Sequence, residues 1–276
     1  MNRRPFAMSV IALLVSASAC AVAAPLSIPG AGPPEAGLRA LAADFSRLNG
    51  AGAIDIPKSI GIAGGLRVLN AGESDLVRLA RRLSDEELRA GGFSQLVYAT
   101  DAVVFAAGRD VQIENLTEAQ VLGLFSGQID DWELLGGKPA PVLVFYREPS
   151  EIAHQGIKRQ LPAFASLSFA PMAKLANSDN DMVEGLTRYR QSLGWLPLSA
   201  VLASEGKIKA LSFNGVRATP ESLASGRYRI VIEHVLVYRE KKLSDEARRF
   251  LGFVSSNAGS QVLRALNLLP SRPVTP

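Results

Sequence analysis

The chain has 276 residues, 47% of them hydrophobic, which suffices for a large core without covalent staples. Lys and Arg number 30 against 26 Asp and Glu, and no basic run or zinc-finger spacing occurs. Nucleic acid is therefore excluded as a partner, while the weak positive excess favours anions. Cys20 is the lone cysteine and His154 and His234 are the lone histidines, so neither a disulfide framework, a metal cluster nor a Ser–His relay is indicated.

The start, MNRRPFAMSVIALLVSASACAVAAPL, reads as a secretory signal over residues 1–23. Arg3 and Arg4 supply the charged region, residues 10–15 the apolar core, and Ala21-Val22-Ala23 a small-residue cleavage site. The apolar core is short for a bilayer crossing, which favours export over a membrane anchor. Cys20 leaves lipoprotein attachment open, although Ala17 stands where such sites usually carry Leu. A mature chain cut near Ala23 has no cysteine and no membrane span, since Glu233 and His234 interrupt its most hydrophobic run.

From Leu26 onward short apolar strands alternate with amphipathic helices, which predicts an α/β fold. Residues 26–29 read as a first strand, 30–34 as a turn, and Leu38, Leu41, Phe45 and Leu48 as one face of a helix. A second strand is expected over 53–57, then a glycine-rich loop over 61–65 leading into a helix through Leu69. A third strand spans 75–79, and Ser84 with Glu87 forms a capping box opening the next helix. Residues 95–107 and 229–238 are almost continuously apolar. Each can hold two strands end to end, passing between two lobes, or a single buried strand.

The most informative segment is 115–132, NLTEAQVLGLFSGQIDDW. Thr117 and Gln120 form a second capping box; Val121, Leu122, Leu124 and Phe125 make an apolar patch, and Gly127 stops the helix. Trp132 follows shortly before Gly136-Gly137. As a string this resembles the "LT…IFSGKITNW…GG" segment of phosphate-binding-protein-like solute receptors. Further matches follow in the family's order: GGL…AGESDL near the N-terminus, Ser192-Leu193-Gly194-Trp195, then 213–222, FNGVRATPES, and Ser225-Gly226-Arg227-Tyr228.

The resemblance implies a two-lobed periplasmic binding protein fold of type 2, with a hinge of two crossing strands and an inter-lobe cleft. Lobe one would comprise residues 26–99 plus 233–276, and lobe two residues 104–230. The implied function is that of an extracytoplasmic solute-binding protein of an ABC-type importer, a periplasmic monomer whose partners are a small anion and an ABC permease. Its ligand would be phosphate or a related or larger anion. The alternative is a sensory or protein-interaction module that keeps the fold with a degenerate anion site. Neither a cofactor nor a metal is implied.

Carried over residue by residue, the family's site gives a mixed result. Arg147, after the strand over 142–146, stands where the family pairs an Arg with the anion; the alternative is a surface Arg bridging to Glu148. The family's Ser-Gly-Thr turn is replaced by Glu151-Ile152-Ala153, and Ser150 lies one residue early. Pro33-Pro34, Ile62 and Ala80 stand where the family offers a hydroxyl, a second hydroxyl and a proton-accepting Asp. Asp75 matches a structural Asp. Gly32 and Gly64, in the first two loops, remain as backbone contacts, and Arg81 offers charge to a larger anion unless Arg78, Arg81 and Arg82 form a solvated edge. These losses argue against tight phosphate capture.

Ser178-Asp179-Asn180 and Ser204-Glu205-Gly206-Lys207 match short motifs of penicillin-binding enzymes, but their order is reversed and K-T-G is absent. The chain is not expected to be an enzyme. His234 is expected to be packed in a strand, and Trp132 and Trp195 to belong to the core.

Overall fold

The computed structural model describes residues 25–50 and 52–271. The secretory signal and Cys20 lie outside the described residues. The helices are α1 (Glu35–Asn49), α2 (Gly61–Ala71), α3 (Asp85–Gly91), α4 (Glu118–Ser126), α5 (Ile152–Gln160), α6 (Asp179–Arg188), α7 (Leu198–Ala203), α8 (Pro220–Ala224), α9 (Asp245–Val254) and α10 (Asn257–Ala265). The strands are β1 (Leu76–Leu79), β2 (Ser94–Gly108), β3 (Asn115–Leu116), β4 (Leu143–Tyr146), β5 (Lys174–Leu175), β6 (Ser192–Pro197), β7 (Ile208–Ala210), β8 (Ser212–Phe213), β9 (Val231–Tyr238) and β10 (Leu269–Pro270).

One strand organises the molecule. The apolar run over 95–107 lies in β2, a single strand of 15 residues. Its first part pairs antiparallel with β9, from Ser94↔Tyr238 to Ala102↔Val231, with a bulge between Val97 and Ala99. Its second part pairs with β6, from Val103↔Pro197 to Ala107↔Leu193, and with β7. The sheet therefore runs β1-β9-β2-β6-β4-β5 through one shared backbone. The chain returns beside that crossing, where the Val103 N–H donates to the Ile230 carbonyl at 2.8 Å and the Tyr228 hydroxyl donates to the Val103 carbonyl at 2.9 Å.

Three clusters of buried apolar side chains pack on this sheet. One draws only on residues between Ala102 and Ile232. Its centre is aromatic: Trp195 lies 5.3 Å from Phe125, 5.6 Å from Phe164 and 5.1 Å from His154, centroid to centroid. The second joins Leu38, Leu41 and Phe45 of α1 to Phe250 and Leu263 of α9 and α10. The third holds Val77, Leu79, Val235 and Val237 against Leu69 of α2. Because side chains alternate across a strand, Leu76 and Leu236 face the second cluster while their neighbours face the third. Each fully buried aliphatic or aromatic side chain contributes about 1.5–3 kcal/mol, so these clusters hold the fold.

Several expected details hold. Both capping boxes are present, at Ser84/Glu87 and Thr117/Gln120. Asp75 accepts the Ser244 N–H at 2.9 Å, a structural role at the start of α9. Trp132 is buried and donates its indole N–H to the Gln191 carbonyl at 2.8 Å.

Others change. The strands expected over 26–29 and 53–57 are reduced to single parallel bridges, Ser27↔Asp55 and Gly30↔Arg78. Pro29 and Pro57 lack the N–H that a longer ladder needs. The loop expected over 61–65 is instead the start of α2. Gly65 serves packing: a Cβ there would lie 3.1 Å from the Gly30 Cα. Gly30 itself has φ 141°, and a Cβ there would sit 2.0 Å from the Arg78 carbonyl oxygen, so only glycine fits.

Candidate functional site

A cleft of about 300 Å³ opens between the start of α1 and the ends of α6 and α7 that face it. Gly32, Glu35 and Arg39 line one wall; Asp179, Ser204 and Lys207 line the other. The walls approach each other at Gly32, where an added Cβ would lie 3.6 Å from Asp179 Oδ2 and 3.6 Å from Ser59 Oγ.

The first wall is built on Arg78. The alternation of β1 turns this residue inward, and it is fully buried. Its Nε donates to the Ala31 carbonyl and its Nη2 to the Pro57 carbonyl, each at 2.7 Å, and Nη1 donates to the Ile28 carbonyl. Glu35 Oε2 lies 3.5 Å away, and burial pulls the guanidinium below its usual pKa. Arg78 is thus neither a solvated edge nor an anion contact. It ties three backbone carbonyls together and fixes the loop that carries Gly32.

The rest of the basic run is also paired within the protein. Arg81 makes a two-pronged bond to Glu87 at 2.7 and 2.9 Å, and Arg82 reaches Glu233 at 2.8 Å. Arg81 lines a separate recess beside Ala80, Thr100 and Ile152, away from Gly32. Gly64 sits one turn into α2, beyond the free N–H groups of the helix start. Ser150 is exposed in the turn before α5. Of the five residues named from the sequence, the fold brings Gly32 and Arg147 together, through Asp179, and leaves Gly64, Ser150 and Arg81 apart.

The second wall centres on Arg147, just past the end of β4. Its Nη1 lies 2.7 Å from Asp179 Oδ1, not against Glu148 as the surface alternative had it. Asp179 is the first residue of α6, whose N-cap Ser178 accepts the Asp181 N–H at 3.0 Å. Burial pushes the Asp179 carboxyl up to about 6, against the opposing pull of Arg147. Glu151 is the N-cap of α5: its two oxygens accept the N–H groups of Ala153 and His154 at 2.9 and 2.8 Å. His154 is buried, its Nδ1 3.0 Å from the Arg147 carbonyl oxygen, and burial lowers its pKa. A neutral ring there braces the segment that presents Arg147.

The two motifs set aside as enzyme-like both reach this cleft, through Ser178 to Asn180 and through Ser204 and Lys207. Neither serine is a nucleophile. Ser178 caps α6, and Ser204 donates its hydroxyl to the Val201 carbonyl at 2.6 Å.

Beneath the cleft, at the strand crossing, lies a second polar group. Asp101 of β2 and His234 of β9 are fully buried, with His234 Nε2 3.7 Å from Asp101 Oδ2. The Ser199 hydroxyl at the start of α7 donates to the same oxygen at 2.5 Å. Burial pushes the Asp101 carboxyl up to about 7 and pulls His234 down to about 3. Among the described residues, no group of three or more His, Cys, Asp or Glu could hold a metal ion, and no helix is long and apolar enough to cross a membrane.

These features, three clusters on a sheet threaded by one shared strand with a charged cleft beside the crossing, are those of the two-lobed periplasmic-binding-protein fold. The PBP superfamily domain matches residues 15–258, and the chain belongs to that superfamily. It is 24% identical over 196 residues to the phosphate-binding protein PstS of Borreliella burgdorferi, which covers 69% of this chain and 70% of that protein. In fold it is similar to a substrate-binding protein from Clostridium perfringens solved with bound phosphate, with a TM-score of 0.76 at 22% identity over 90% of this chain and all of that one. The periplasmic molybdate-binding protein of Azotobacter vinelandii is also similar, with a TM-score of 0.61 at 14% identity over 90% of this chain and all of that one. These relatives are named as phosphate-, substrate- and molybdate-binding proteins, none of them as an enzyme.

Proposed function

We propose that this protein is the extracytoplasmic solute receptor of an ABC-type importer and captures a phosphate-type or larger anion in the cleft between Gly32 and Arg147. The observation that carries this reading is Arg147 itself, a largely buried guanidinium at a strand end, behind the second wall of the cleft and bonded to Asp179, which lines it. Residues 26–99 plus 233–276 would form one lobe and residues 104–230 the other, closing by torsion of β2 and of the return past Arg229. Arg147 would supply the charge, the Gly32 backbone a donor, and exposed Lys207 and Arg39 a positive rim. The closed form would be presented to a permease, and residues 1–23 would direct export to the periplasm. The names of the relatives support an anionic solute.

A thermal-shift screen across phosphate, sulfate, molybdate, phosphonates and organic acids tests this directly, because a ligand that prefers the folded form raises its melting temperature. At least one anion should do so, and Arg147→Ala should then weaken its affinity by about 1.5–3 kcal/mol, the worth of a charged hydrogen bond. A screen in which no anion shifts the transition overturns the reading.

A further inference from the structure

The second wall holds two features that attract anions, the Arg147 guanidinium and the free N–H groups opening α5. Both are already satisfied by carboxylates of the chain itself. Asp179 holds Arg147 at 2.7 Å, with 13% of the arginine side chain and 18% of the aspartate exposed. Glu151 folds back so that each of its oxygens takes one α5 N–H. The family resemblance puts hydroxyls and a small turn in that place; here a carboxylate stands at the helix start, and α5 begins with Ile152 and Ala153.

We propose that Asp179 and Glu151 are specificity residues, internal counter-anions that exclude inorganic phosphate from the cleft by occupying the groups that would hold it. The inference rests on the reading of this cleft as the solute site, and it narrows that reading to anions other than phosphate. A doubly charged oxyanion next to Arg147 would have to displace Asp179 or lie beside it, with Glu151 and Glu35 also near. Those two carboxylates already act on Asp179, raising its pKa. Like charges brought together in a partly desolvated cleft repel strongly. The oxyanion would also find the Ala153 and His154 N–H groups spent, so it would lose donors and meet repulsion at once. A larger solute that shares Arg147 with Asp179 through one group and directs the rest of its charge to Lys207, which has no ion-pair partner among the described residues, meets less of both penalties.

Titration calorimetry of the purified protein with inorganic phosphate near neutral pH tests the proposal through gained binding. The wild type should give no phosphate heat. D179N keeps the shape of the side chain while removing its charge, and E151S keeps an N-cap hydroxyl. Each should tighten phosphate binding by about ten- to a hundredfold, the equivalent of one charge-assisted hydrogen bond recovered. The double variant should bind tighter still, and adding R147A to it should cancel the gain. Circular dichroism melts establish that each variant is folded; should E151S not fold, E151Q in the D179N background takes its place.

Folded variants with no gain in phosphate affinity would overturn the proposal. So would a wild type that binds phosphate at about micromolar strength or tighter and loses that binding in D179N. Failure of the underlying solute reading looks different, since it is read from the wild type's silence toward every anion in the thermal screen.

Discussion

Arg78 and Arg147 stand behind opposite walls of one cleft, and their charges are spent differently. Arg78 is fully buried and bonded to three backbone carbonyls drawn from two separate loops. Arg147 is also largely buried but is held by one side chain, Asp179. A guanidinium gripped by main-chain carbonyls is released only if the loops unravel. One held by a carboxylate can change partner when that side chain turns. The first wall is therefore scaffold, and the second is the one whose pairing can be exchanged.

The contrast can be broken by substitution, starting with the largest effect. Arg78→Met should cost about 3–5 kcal/mol in urea unfolding, because it strands buried carbonyls and removes a paired buried charge. A loss below about 1 kcal/mol would show that Arg78 is not scaffold. Arg147→Met should cost less, about 1–2 kcal/mol, since Asp179 can take up a proton when left alone. Equal losses at the two sites would erase the distinction.

A pH series sharpens it further. A carboxyl whose pKa is raised on folding binds its proton more readily in the folded state. Its stabilising contribution is complete below the usual 3.8 and is lost as pH rises through the folded value, about 7 for Asp101. The wild type should therefore lose melting temperature relative to Asp101→Asn between pH 5 and 8. His234, depressed to about 3, works in the opposite sense as pH falls below its usual 6.5, but it is present in both proteins. A constant difference between the two across that range would remove Asp101 as the cause. The smallest effect belongs to the outer pair: Glu87→Gln should change stability by less than about 1 kcal/mol, because the bridge to Arg81 is well exposed.

What the sequence disclosed follows how local each feature is. Both capping boxes were legible because their partners lie three residues apart, whereas Arg147 was singled out by the family resemblance and not by its local pattern. Asp179 was not, because its bond to Arg147 spans 32 positions and joins two elements only in the fold. Arg78 was misread with Arg81 and Arg82 as one basic run. The period of two in β1 was the available signal, since it sends Arg78 to the same face as buried Leu76. Glu151 escaped notice as a cap because Glu is not among the residues that usually fill that position. The glycines of 61–65 suggested a loop, whereas the close approach of Gly30 accounts for Gly65 within the helix.

The aromatic centre around Trp195 gives the protein an optical asymmetry. Both tryptophans, Trp132 and Trp195, belong to the cluster formed between Ala102 and Ile232, while the clusters under α1 and α2 hold none. Indole emission excited at the red edge is thus a label built into one half of the molecule, with the tyrosines Tyr98 and Tyr238 as reporters of the other. Intrinsic fluorescence and far-ultraviolet dichroism, recorded in the same melt, need not trace the same curve. Any separation between them measures how tightly the shared strand couples the melting of the two halves.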